Sequence, residues 1–413
     1  MRFTSVTTAI VLVFATASIA FPQNRCGGGL NFTIGCSGLG IGNSERINGL
    51  RINWSDTDLD VVNGVNFTLW KPKGRYSDDW MSSPGGTING LAFGLLPSAD
   101  YMNGISLGLG AVLVGRRSAG LTVGLLAGVS KGSMYGINVG GLALVAEESI
   151  QGLNLGGLAM VAQGGMSGLN LGGLALVSQG PIDGINLGGL AVVSQAGMGG
   201  ASASLLANVA QGPMIGANFS GLALVSQAGI TGVNFGGLAT VAQGPIRGFS
   251  LSLLAIVSQA GITGINVGGL AAVAQGPIKG LTVGGLALVS QYGLTGLNIG
   301  GLAAVTQGPI EGATASIGVV QTESVIRGLA IGGYKIESRD MAGMALAVVR
   351  TRNRVIHGLT IAGYNHVEWE QKGLAIGLYN RARRLYGIQI GLLNYAGNNP
   401  PGLRYLPLVN AHF

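Results

Sequence analysis

Apolar and polar positions alternate along most of this chain, in segments of about twelve residues that glycines separate. In the segment that begins at Gly184, a straight strand would place Ile185, Leu187 and Val193 on one apolar face. The opposite face, which includes Asn186, would be mixed. Two to four glycines per segment disfavour a helix, because each costs about 1 kcal/mol relative to alanine. The pattern therefore predicts an all-β protein.

A glycine opens each segment, and from Gly104 to Gly328 these anchor glycines recur every 16 residues. The spacing then shortens by one or two positions, so that about 20 units result. A fixed period of this kind indicates that each unit is one structural repeat of an extended array. The anchors with shorter spacing are Gly343, Gly358, Gly373, Gly387 and Gly402, and looser echoes begin at Gly49, Gly64 and Gly90.

The connectors between segments have a period twice as long, because every second connector has the same character. One set contains Gly-Pro, at Pro181, Pro213, Pro245, Pro277 and Pro309, and the alternate set contains Gly165, Gly197, Gly229, Gly261 and Gly293. Charged residues follow the first set, at Asp183, Arg247, Lys279 and Glu311, whereas Thr231, Thr263 and Thr295 follow the second.

This 32-residue double period favours a large antiparallel up-and-down β-barrel of about 20 strands. Consecutive turns of such a sheet lie on opposite edges and meet different environments. The charged set would then lie on one rim and the threonine set on the other. A strand of about 12 residues, tilted by about 40°, also spans roughly 30 Å, which matches the apolar band of an outer membrane.

A β-solenoid is the alternative, because the array lacks the aromatic girdles and long loops of membrane barrels. The four tryptophans that lie outside the array are Trp54, Trp70, Trp80 and Trp369. In a solenoid, Gly188-Gly189 would form a corner, and the asparagines would stack in polar ladders. The buried residues would be Ile185, Leu187, Leu190 and Val192, and the stacked asparagines Asn170, Asn186, Asn218, Asn234 and Asn266.

The N-terminus has the features of a signal peptide over residues 1–20, since Arg2 precedes an apolar stretch and a small residue, Ala20, stands at the cleavage spacing. Cys26 and Cys36 follow in the exported part of the chain. An oxidising compartment favours a disulfide between them, and two unpaired small apolar residues are the alternative.

The remaining chain divides by composition into three parts. Residues 21–103 form an irregular N-terminal segment that contributes early strands, a cap or a plug. Residues 104–328 form the regular array, and residues 329–413 form C-terminal repeats. The last repeat alternates in character and ends on Phe413, which is typical of the terminal strand that assembly machinery recognises in outer-membrane barrels.

Several units resemble a known family of repeats. These are Gly152-Leu-Asn-Leu-Gly-Gly-Leu-Ala, Gly373-Leu-Ala-Ile-Gly-Leu-Tyr-Asn, Gly387-Ile-Gln-Ile-Gly-Leu-Leu-Asn-Tyr-Ala and the ending Leu406-Pro-Leu-Val-Asn410. From about Gly49 to Phe413 the chain resembles the leptospiral-type bacterial surface-repeat family. The resemblance implies a surface or outer-membrane setting, but that family has no established activity or site to carry over.

Only 9% of the residues are charged and 47% are hydrophobic, while the net charge is +7. The basic residues concentrate in the last quarter without an RNA- or DNA-binding motif, so a nucleic-acid partner is not expected. In a barrel, this cluster would mark a rim or a pore wall. Its members are Arg350, Arg352, Arg354, Arg381, Arg383 and Arg384.

The chain offers little catalytic chemistry. Its three histidines, His357, His366 and His412, lack a metal-binding spacing, and the best cluster is His366 with Glu368 and Glu370. No phosphate-binding glycine loop is present. Ser-Gln pairs recur at segment ends, which indicates turn hydrogen bonding rather than a nucleophile. The sequence therefore predicts no enzyme, no cofactor and no metal site.

These observations predict a non-enzymatic, exported protein of the cell envelope or cell surface. The main prediction is an outer-membrane barrel that acts as a channel or structural component. Its expected partners are outer-membrane lipids and the barrel-assembly machinery. The alternative is an exported β-solenoid that acts as a scaffold or as an adhesin-like binding protein.

Overall fold

The computed structural model describes residues 26–70, 72–73 and 84–413. The predicted signal peptide lies outside the described residues. The chain divides into two compact units, Met1–Leu171 and Gly172–Phe413. In both units the regular structure of the described residues consists of β-strands, and strand follows strand in a flattened coil that repeats with the anchor glycines.

The first unit begins with an antiparallel pair of strands and continues with parallel ones. Leu30 pairs with Ile41 in the antiparallel pair, and Gly49 then stacks in parallel register between Gly38 and Gly64. Its strands are β1 Leu30–Ile34, β2 Ser37–Ile41, β3 Arg46–Asn53, β4 Val61–Thr68, β5 Thr87–Gly94, β6 Ser98–Gly108, β7 Ala111–Gly124, β8 Ala127–Ser130, β9 Ser133–Gly140, β10 Ala143–Ala146, β11 Ser149–Gly156, β12 Ala159–Ala162 and β13 Gly165–Gly172.

The second unit contains the greater part of the regular array and the chain's last repeats. Its strands are β14 Ala175–Ser178, β15 Ile182–Gly188, β16 Ala191–Ser194, β17 Met198–Ser204, β18 Ala207–Ala210, β19 Met214–Ser220, β20 Ala223–Ser226, β21 Ile230–Gly236, β22 Ala239–Ala242, β23 Ile246–Ser252, β24 Ala255–Ser258, β25 Ile262–Gly268, β26 Ala271–Ala274, β27 Ile278–Gly284, β28 Ala287–Ser290, β29 Leu294–Gly300, β30 Ala303–Thr306, β31 Ile310–Ser316, β32 Val319–Thr322, β33 Val325–Gly332, β34 Lys335–Ala347, β35 Arg350–Ile361, β36 Tyr364–Ile376, β37 Tyr379–Ala396 and β38 Tyr405–His412.

Successive repeats lie parallel, one directly on the next. Gly184 pairs with Gly200, and Gly200 pairs with Gly216, in strands that run in the same direction. The predicted antiparallel barrel is therefore wrong, and the alternative, a β-solenoid whose repeat is the spacing of the anchor glycines, is confirmed. We call each repeat a coil and name it after its anchor glycine.

Each coil of the array has a long side and a short side. In the Gly184 coil, the long strand β15 leads through a bend at Gly189-Leu190 into the short strand β16. The long strands of neighbouring coils pair into one parallel sheet and the short strands into another. Inward side chains of the two sheets, such as Ile182 and Val192, are fully buried.

The two connector classes lie on one edge, so the prediction of two opposite rims is also wrong. Arg247 pairs with Thr231 on one side and Thr263 on the other, and Lys279 lies between Thr263 and Thr295. Charged and threonine positions therefore alternate along a single column of the sheet.

Contact between adjacent connectors explains the double period. The hydroxyl of Ser258 donates to the carbonyl of Gly244 in the Gly-Pro connector of the preceding coil and accepts the amide hydrogen of Gly261 in its own connector. Gly244 has no room for a side chain, because a Cβ there would lie 1.1 Å from the carbonyl oxygen of Ala228. A Gly-Pro connector and a connector of the other class thus fit together along one edge. The 32-residue period results from this pairing and does not require turns in two different environments.

Asparagines form a polar column inside the long-strand sheet. All five asparagines of the predicted ladder are buried. Among them, Asn218 donates to Asn234 over 3.0 Å. Buried polar side chains therefore stack along the interior as the solenoid alternative predicts, with Ser202 and Ser250 between the asparagines.

The solenoid alternative is wrong about which apolar side chains fill the interior. Val192 is buried as predicted, but Ile185, Leu187 and Leu190 are exposed. Neighbouring side chains of a strand point to opposite faces, and Asn186 points inward, so Ile185 and Leu187 must point outward. The corner also lies one residue later than predicted, which leaves Leu190 on the outside of the bend.

The last coils are built differently from the array. Their shorter period removes a connector residue, so that the short strand of one coil continues directly into the long strand of the next, as in β34 and β35. After β37 the chain turns back, and β38 pairs antiparallel with it, with Gly387 opposite His412. The C-terminal strand therefore closes the last coil, and its interpretation as the terminal strand of a membrane barrel is wrong.

Candidate functional site

The outer face of the short-side sheet changes in chemistry at the end of the second unit. In the array its outward positions are mostly alanine and valine, as at Ala303 and Val305. In the last coils, one column becomes Lys335, Arg350, Tyr364 and Tyr379, and the neighbouring column becomes Glu337, Arg352, His366 and Arg381. We call these residues, together with Arg354, Trp369, Arg383, Arg384 and Tyr395 beside them, the basic-aromatic face.

A β-bulge presents the tryptophan of this face. Glu368 and Trp369 on β36 together lie opposite Arg383 alone on β37, because the register shifts between Val367 and Glu370. Bulges of this kind redirect side chains and occur often beside functional sites. Here the bulge turns Trp369 outward, where the guanidinium carbons of Arg383 and Arg384 lie 5.0 and 4.8 Å from its ring centroid.

Part of the charge on the face is neutralised by ion pairs. Glu337 accepts hydrogen bonds from Lys335 at 2.9 Å and from Arg350 at 2.7 Å. Arg352 pairs with Glu368 at 2.8 Å. The remaining arginines of the face have no carboxylate partner within 4 Å among the residues that the structure describes, so they are its available positive charges. They are Arg354, Arg381, Arg383 and Arg384.

Aromatic rings form a column beside these arginines. The rings of Tyr364 and Tyr379 stack with centroids 5.2 Å apart and planes 7° from parallel. The Tyr364 hydroxyl lies 2.6 Å from Nδ1 of His366. The guanidinium of Arg381 lies 5.8 Å from the ring centroid of Tyr395. A guanidinium that stacks on a ring keeps its N–H groups free at the edge, where they can bind an anion.

The surroundings shift the pKa of four groups on the face, and one of them is Arg352, whose pKa is raised by its hydrogen bond to Glu368. Partial burial lowers the pKa of His366, and the charge of Arg381 lowers it further, against the opposing effect of Glu368. Burial alone would raise the pKa of Glu337, but its hydrogen bonds from Lys335 and Arg350 outweigh burial and hold the pKa below its ordinary value. Burial raises the pKa of Tyr379. The face therefore holds the ionised carboxylate of Glu337 among its arginines, beside a histidine that favours its neutral form.

A cleft of about 280 Å³ opens at the corner beside this face. Its wall combines the ion-paired Glu337 and Arg352 with Arg354, whose charge is not paired within the described part of the chain. The other residues that line the cleft are Gln321, Thr322, Ser338, Arg339, Asn353 and Glu368. The cleft is thus polar and flanked by arginines.

The structure brings all six predicted arginines together on the outer surface of the last coils. They do not line a pore, because the inside of these coils is filled by buried side chains such as Asn365 and Asn380. Sequence reasoning missed Tyr364, Tyr379 and Trp369. The two tyrosines recur with the shortened spacing of the anchor glycines in these coils, and this recurrence is the signal that could have found them.

The structure does not assemble the histidine and glutamate cluster into a metal site. No group of three or more His, Cys, Asp or Glu in the described ranges could hold a metal ion. Instead, Glu368 pairs with Arg352, and Glu370 pairs with Lys372 at 2.8 Å. The side chain of Lys372 lowers the pKa of Glu370 through this hydrogen bond. These carboxylates therefore serve in ion pairs.

The two cysteines belong to the first unit. Cys26 and Cys36 form a disulfide, with their Cα atoms 5.5 Å apart. The bond ties the chain before β1 to the turn between β1 and β2, where Cys36 has a positive φ of 63°. It fastens the antiparallel strand pair that precedes the first parallel coils.

Comparison with known proteins found no match: no family model, no curated protein and no solved structure matches this chain. Across residues 26–70, 72–73 and 84–413, no helix is long and apolar enough to cross a membrane.

Proposed function

We propose that this protein is an exported, non-catalytic β-solenoid of the cell surface that binds an acidic polysaccharide through its basic-aromatic face. One observation carries the proposal: over the last coils the outward residues of the short side change from Ala and Val to Arg and Tyr, with Trp369 beside them. The coils stack through their backbone and their inward side chains, so stacking does not require this change.

The inward side chains of the same strands also become polar, but they bind each other, whereas the outward arginines do not have such partners among the described residues. There, apolar residues give way to asparagines, and these amides satisfy each other, since Asn365 donates to Asn380 over 2.7 Å. The outward Arg381 and Arg383 have no carboxylate partner of this kind among the described residues. Outward cations that no described carboxylate pairs favour a partner outside the protein.

The chemistry of the face favours a polymer with negative charges and apolar ring faces. Four arginines without a carboxylate partner in the described ranges offer N–H donors to carboxylate or sulfate groups. Exposed rings such as Trp369 offer flat apolar surfaces beside these donors. Because equivalent positions repeat from coil to coil at about 4.8 Å, the face presents a row of similar contacts that suits a chain molecule.

The proposed location rests on the N-terminal part of the chain and on the family resemblance. A signal peptide over residues 1–20 would export the protein, and disulfides such as Cys26–Cys36 persist in oxidising compartments. The resemblance to leptospiral-type surface repeats suggests the same setting. N-terminal sequencing of the mature protein tests export, and protease treatment of intact cells tests surface exposure.

Binding of the full mature chain to immobilised heparin and polygalacturonate, with neutral dextran as a blank, tests the proposal. We expect both polyanions to bind and dextran not to bind. Replacement of Arg381, Arg383 and Arg384 by Gln should weaken binding at least tenfold, because it removes three of the four available cations. The control replaces Arg247, Lys279 and Arg327 by Gln, which changes the net charge equally on another column of the unit.

Two results would contradict the proposal. An equal loss in both triple variants would show that net charge alone attracts the polyanions. Stronger binding to phosphatidylglycerol vesicles than to either polysaccharide, abolished by the same Arg381, Arg383 and Arg384 replacements, would assign the face to lipid headgroups.

A further inference from the structure

The outer face of the long-strand sheet in the second unit is apolar across the array. The two outward columns that contain Ile185 and Leu187 hold Ile, Leu, Val, Phe and Ala, and many of these side chains are exposed. They include Ile185, Leu187, Phe219, Val233, Ile265, Leu297, Ile299 and Ile331. We call this surface the apolar face. It lies on the opposite sheet from the columns of the basic-aromatic face and is independent of the function proposed above.

A surface of this size is unusual for a chain in water. Successive coils stack without interruption from the Gly184 coil to the Gly328 coil. At about 4.8 Å per coil and about 3.3 Å per residue, the five residues of each long strand that carry the two apolar columns cover roughly 800 Å². Contiguous apolar patches beyond a few hundred Å² mark binding surfaces, and a stable protein interface needs about 800 Å² from each partner. The face is therefore large enough to form a complete interface by itself.

The relief of the face contains a ridge and a dent. Phe219, Phe235 and Phe249 stand on three successive coils, with ring centroids 5.1 and 5.5 Å apart, and form the ridge. Two coils carry only alanines at their two central outward positions. One is the Gly200 coil beside the ridge, with Ala201 and Ala203, and the other is the Gly312 coil, four coils after Phe249, with Ala313 and Ala315.

The dent lies at Ala313 and Ala315 of the Gly312 coil. The coils before and after it carry larger side chains at the same positions. The dent has a volume of about 430 Å³ and is lined almost wholly by apolar atoms. Ile299, Ala315 and Ile331 occupy the same column of three successive coils, so the small side chain lies between two large ones. The other lining residues are Gly300, Gly301, Ser316, Ile317 and Gly333. A phenyl ring has the size and polarity that this dent accepts.

We infer that a second copy of this chain covers the apolar face, with the phenylalanine ridge of each copy in the alanine dent of the other. A twofold arrangement satisfies both contacts at once, because every copy carries the ridge and the dent of the Gly312 coil on the same face. Apolar faces of two β-sheets pack at about 10 Å when their side chains interdigitate.

A lipid bilayer is the less suitable occupant. The column beside the apolar positions carries charges of both signs, Asp183 and Glu311 as well as Arg247, Lys279 and Arg327, and Arg327 forms an ion pair with Glu311. Attraction to anionic lipid requires a predominantly basic fringe, which this column does not provide. A ridge and a dent of defined shape also give no advantage on a fluid surface, whereas they fix the register between two rigid sheets.

Sedimentation velocity of the full mature chain without detergent tests the inference. We expect a dimer at micromolar concentration. Phe235→Ala removes the middle ring of the ridge and Ala315→Trp fills the dent, and each should raise the dimer dissociation constant at least tenfold. The matched controls are Val257→Ala and Ala255→Trp on the opposite sheet, which should leave it unchanged. Equal melting temperatures of all variants would show that each one folds.

Mixing the two interface variants gives a sharper test. In a mixed dimer, the intact ridge of the Ala315→Trp copy meets the intact dent of the Phe235→Ala copy, and the introduced indole meets the position where the phenyl ring is missing. We expect the mixture to dimerise more strongly than either variant alone. A wild-type protein that stays monomeric up to about 100 µM, or variants with unchanged dimerisation, would overturn the inference, and so would a monomer that binds phosphatidylcholine vesicles through this face.

Discussion

The array and the last coils of the second unit share a buried inward column along their long strands, which is mainly polar in the array and includes Ala345 and Ala375 in the last coils. They differ on the outside of their short strands. Thr282 in the array and Thr360 in the last coils are equally buried in that column. The inward side of the short strands changes from apolar residues such as Val320 to amides such as Asn365, yet both are fully buried. Outside, alanine and valine give way to arginine and tyrosine. The comparison teaches that stacking keeps inward side chains buried, whereas outward ones are free to change with what the surface contacts.

The corners of the two regions also differ. In the array, the chain turns at a short connector that begins with Gln and contains Gly or Gly-Pro. At Gly244, the neighbouring connector leaves no space for a side chain. The last coils lose one residue at this point, and Arg339 and Asp340 lie within a continuous strand instead. Because the tight connector is absent, long charged side chains fit at the corner, and the cleft beside Arg354 opens there.

The anchor glycines stack in both regions, and we expect their replacement to cause the largest loss of folding stability. Gly200 has a φ of +86° and Gly373 a φ of +116°, and a Cβ at either position would lie 2.2 Å from the carbonyl oxygen of the preceding anchor. The left-handed backbone alone costs an alanine about 1 to 3 kcal/mol, and the clash adds to this cost. Gly200→Ala and Gly373→Ala should therefore each lower the free energy of unfolding by more than about 3 kcal/mol in chemical denaturation.

The neighbouring Gly199 provides the control for this prediction. A Cβ at Gly199 would meet only the carboxylate end of Asp183, which can rotate away. Gly199→Ala should therefore change the free energy of unfolding by less than about 0.5 kcal/mol, as at ordinary surface positions. Equal losses at Gly199 and Gly200 would contradict the assignment of the cost to the stacked anchors.

Replacement of a buried asparagine should reduce stability less than replacement of an anchor glycine, and by different amounts in the two regions. Asn380, on the short side of the last coils, accepts from Asn365 at 2.7 Å and donates to Asn394 at 2.7 Å. Asn266, on the long side of the array, is equally buried, but its side chain has no hydrogen-bond partner among the described residues. Asn380→Ala should cost about 1 to 3 kcal/mol, because it leaves buried amides unpaired. Asn266→Ala should cost less than about 1 kcal/mol, since it removes a group that burial already penalises. Denaturant titration of both variants measures the difference, and equal costs would refute it.

Much of the fold follows from local pattern. Alternation and glycine content predict strands, and the spacing of the anchor glycines equals one coil. The sequence also places Asn186 on the mixed face, which the structure turns inward. The choice between barrel and solenoid failed because a barrel and this solenoid both turn Ile185 and Leu187 outward, so residue polarity does not distinguish them. The double period misled because the fit of Gly244 against Ala228 is a contact between repeats, which a single repeat does not contain.

The site was predictable only in part. Clustering of arginines in the last quarter is visible in the sequence, and these residues do meet on one surface. Which of them keep an available charge depends on pairing across coils, such as Arg352 with Glu368. The contact of Trp369 with Arg383 and Arg384 depends on a bulge, which a shift of register creates and which no repeat motif indicates.

The smallest expected effect is a pH dependence confined to the last coils, at His366. Its pKa is lowered by burial and by Arg381, so the folded state favours the neutral imidazole relative to the unfolded chain, where the pKa is about 6.5. The unfolded state then binds more protons, and stability falls as the pH drops below about 6.5. The wild type should therefore lose more stability than His366→Gln between pH 7 and pH 5. Arg381→Gln should reduce this loss, because Arg352 and Arg350 contribute less to the shift and Glu368 opposes it. Thermal unfolding of the three proteins across this range measures the effect, and parallel pH profiles for all three would show that His366 does not couple to the arginines of the face.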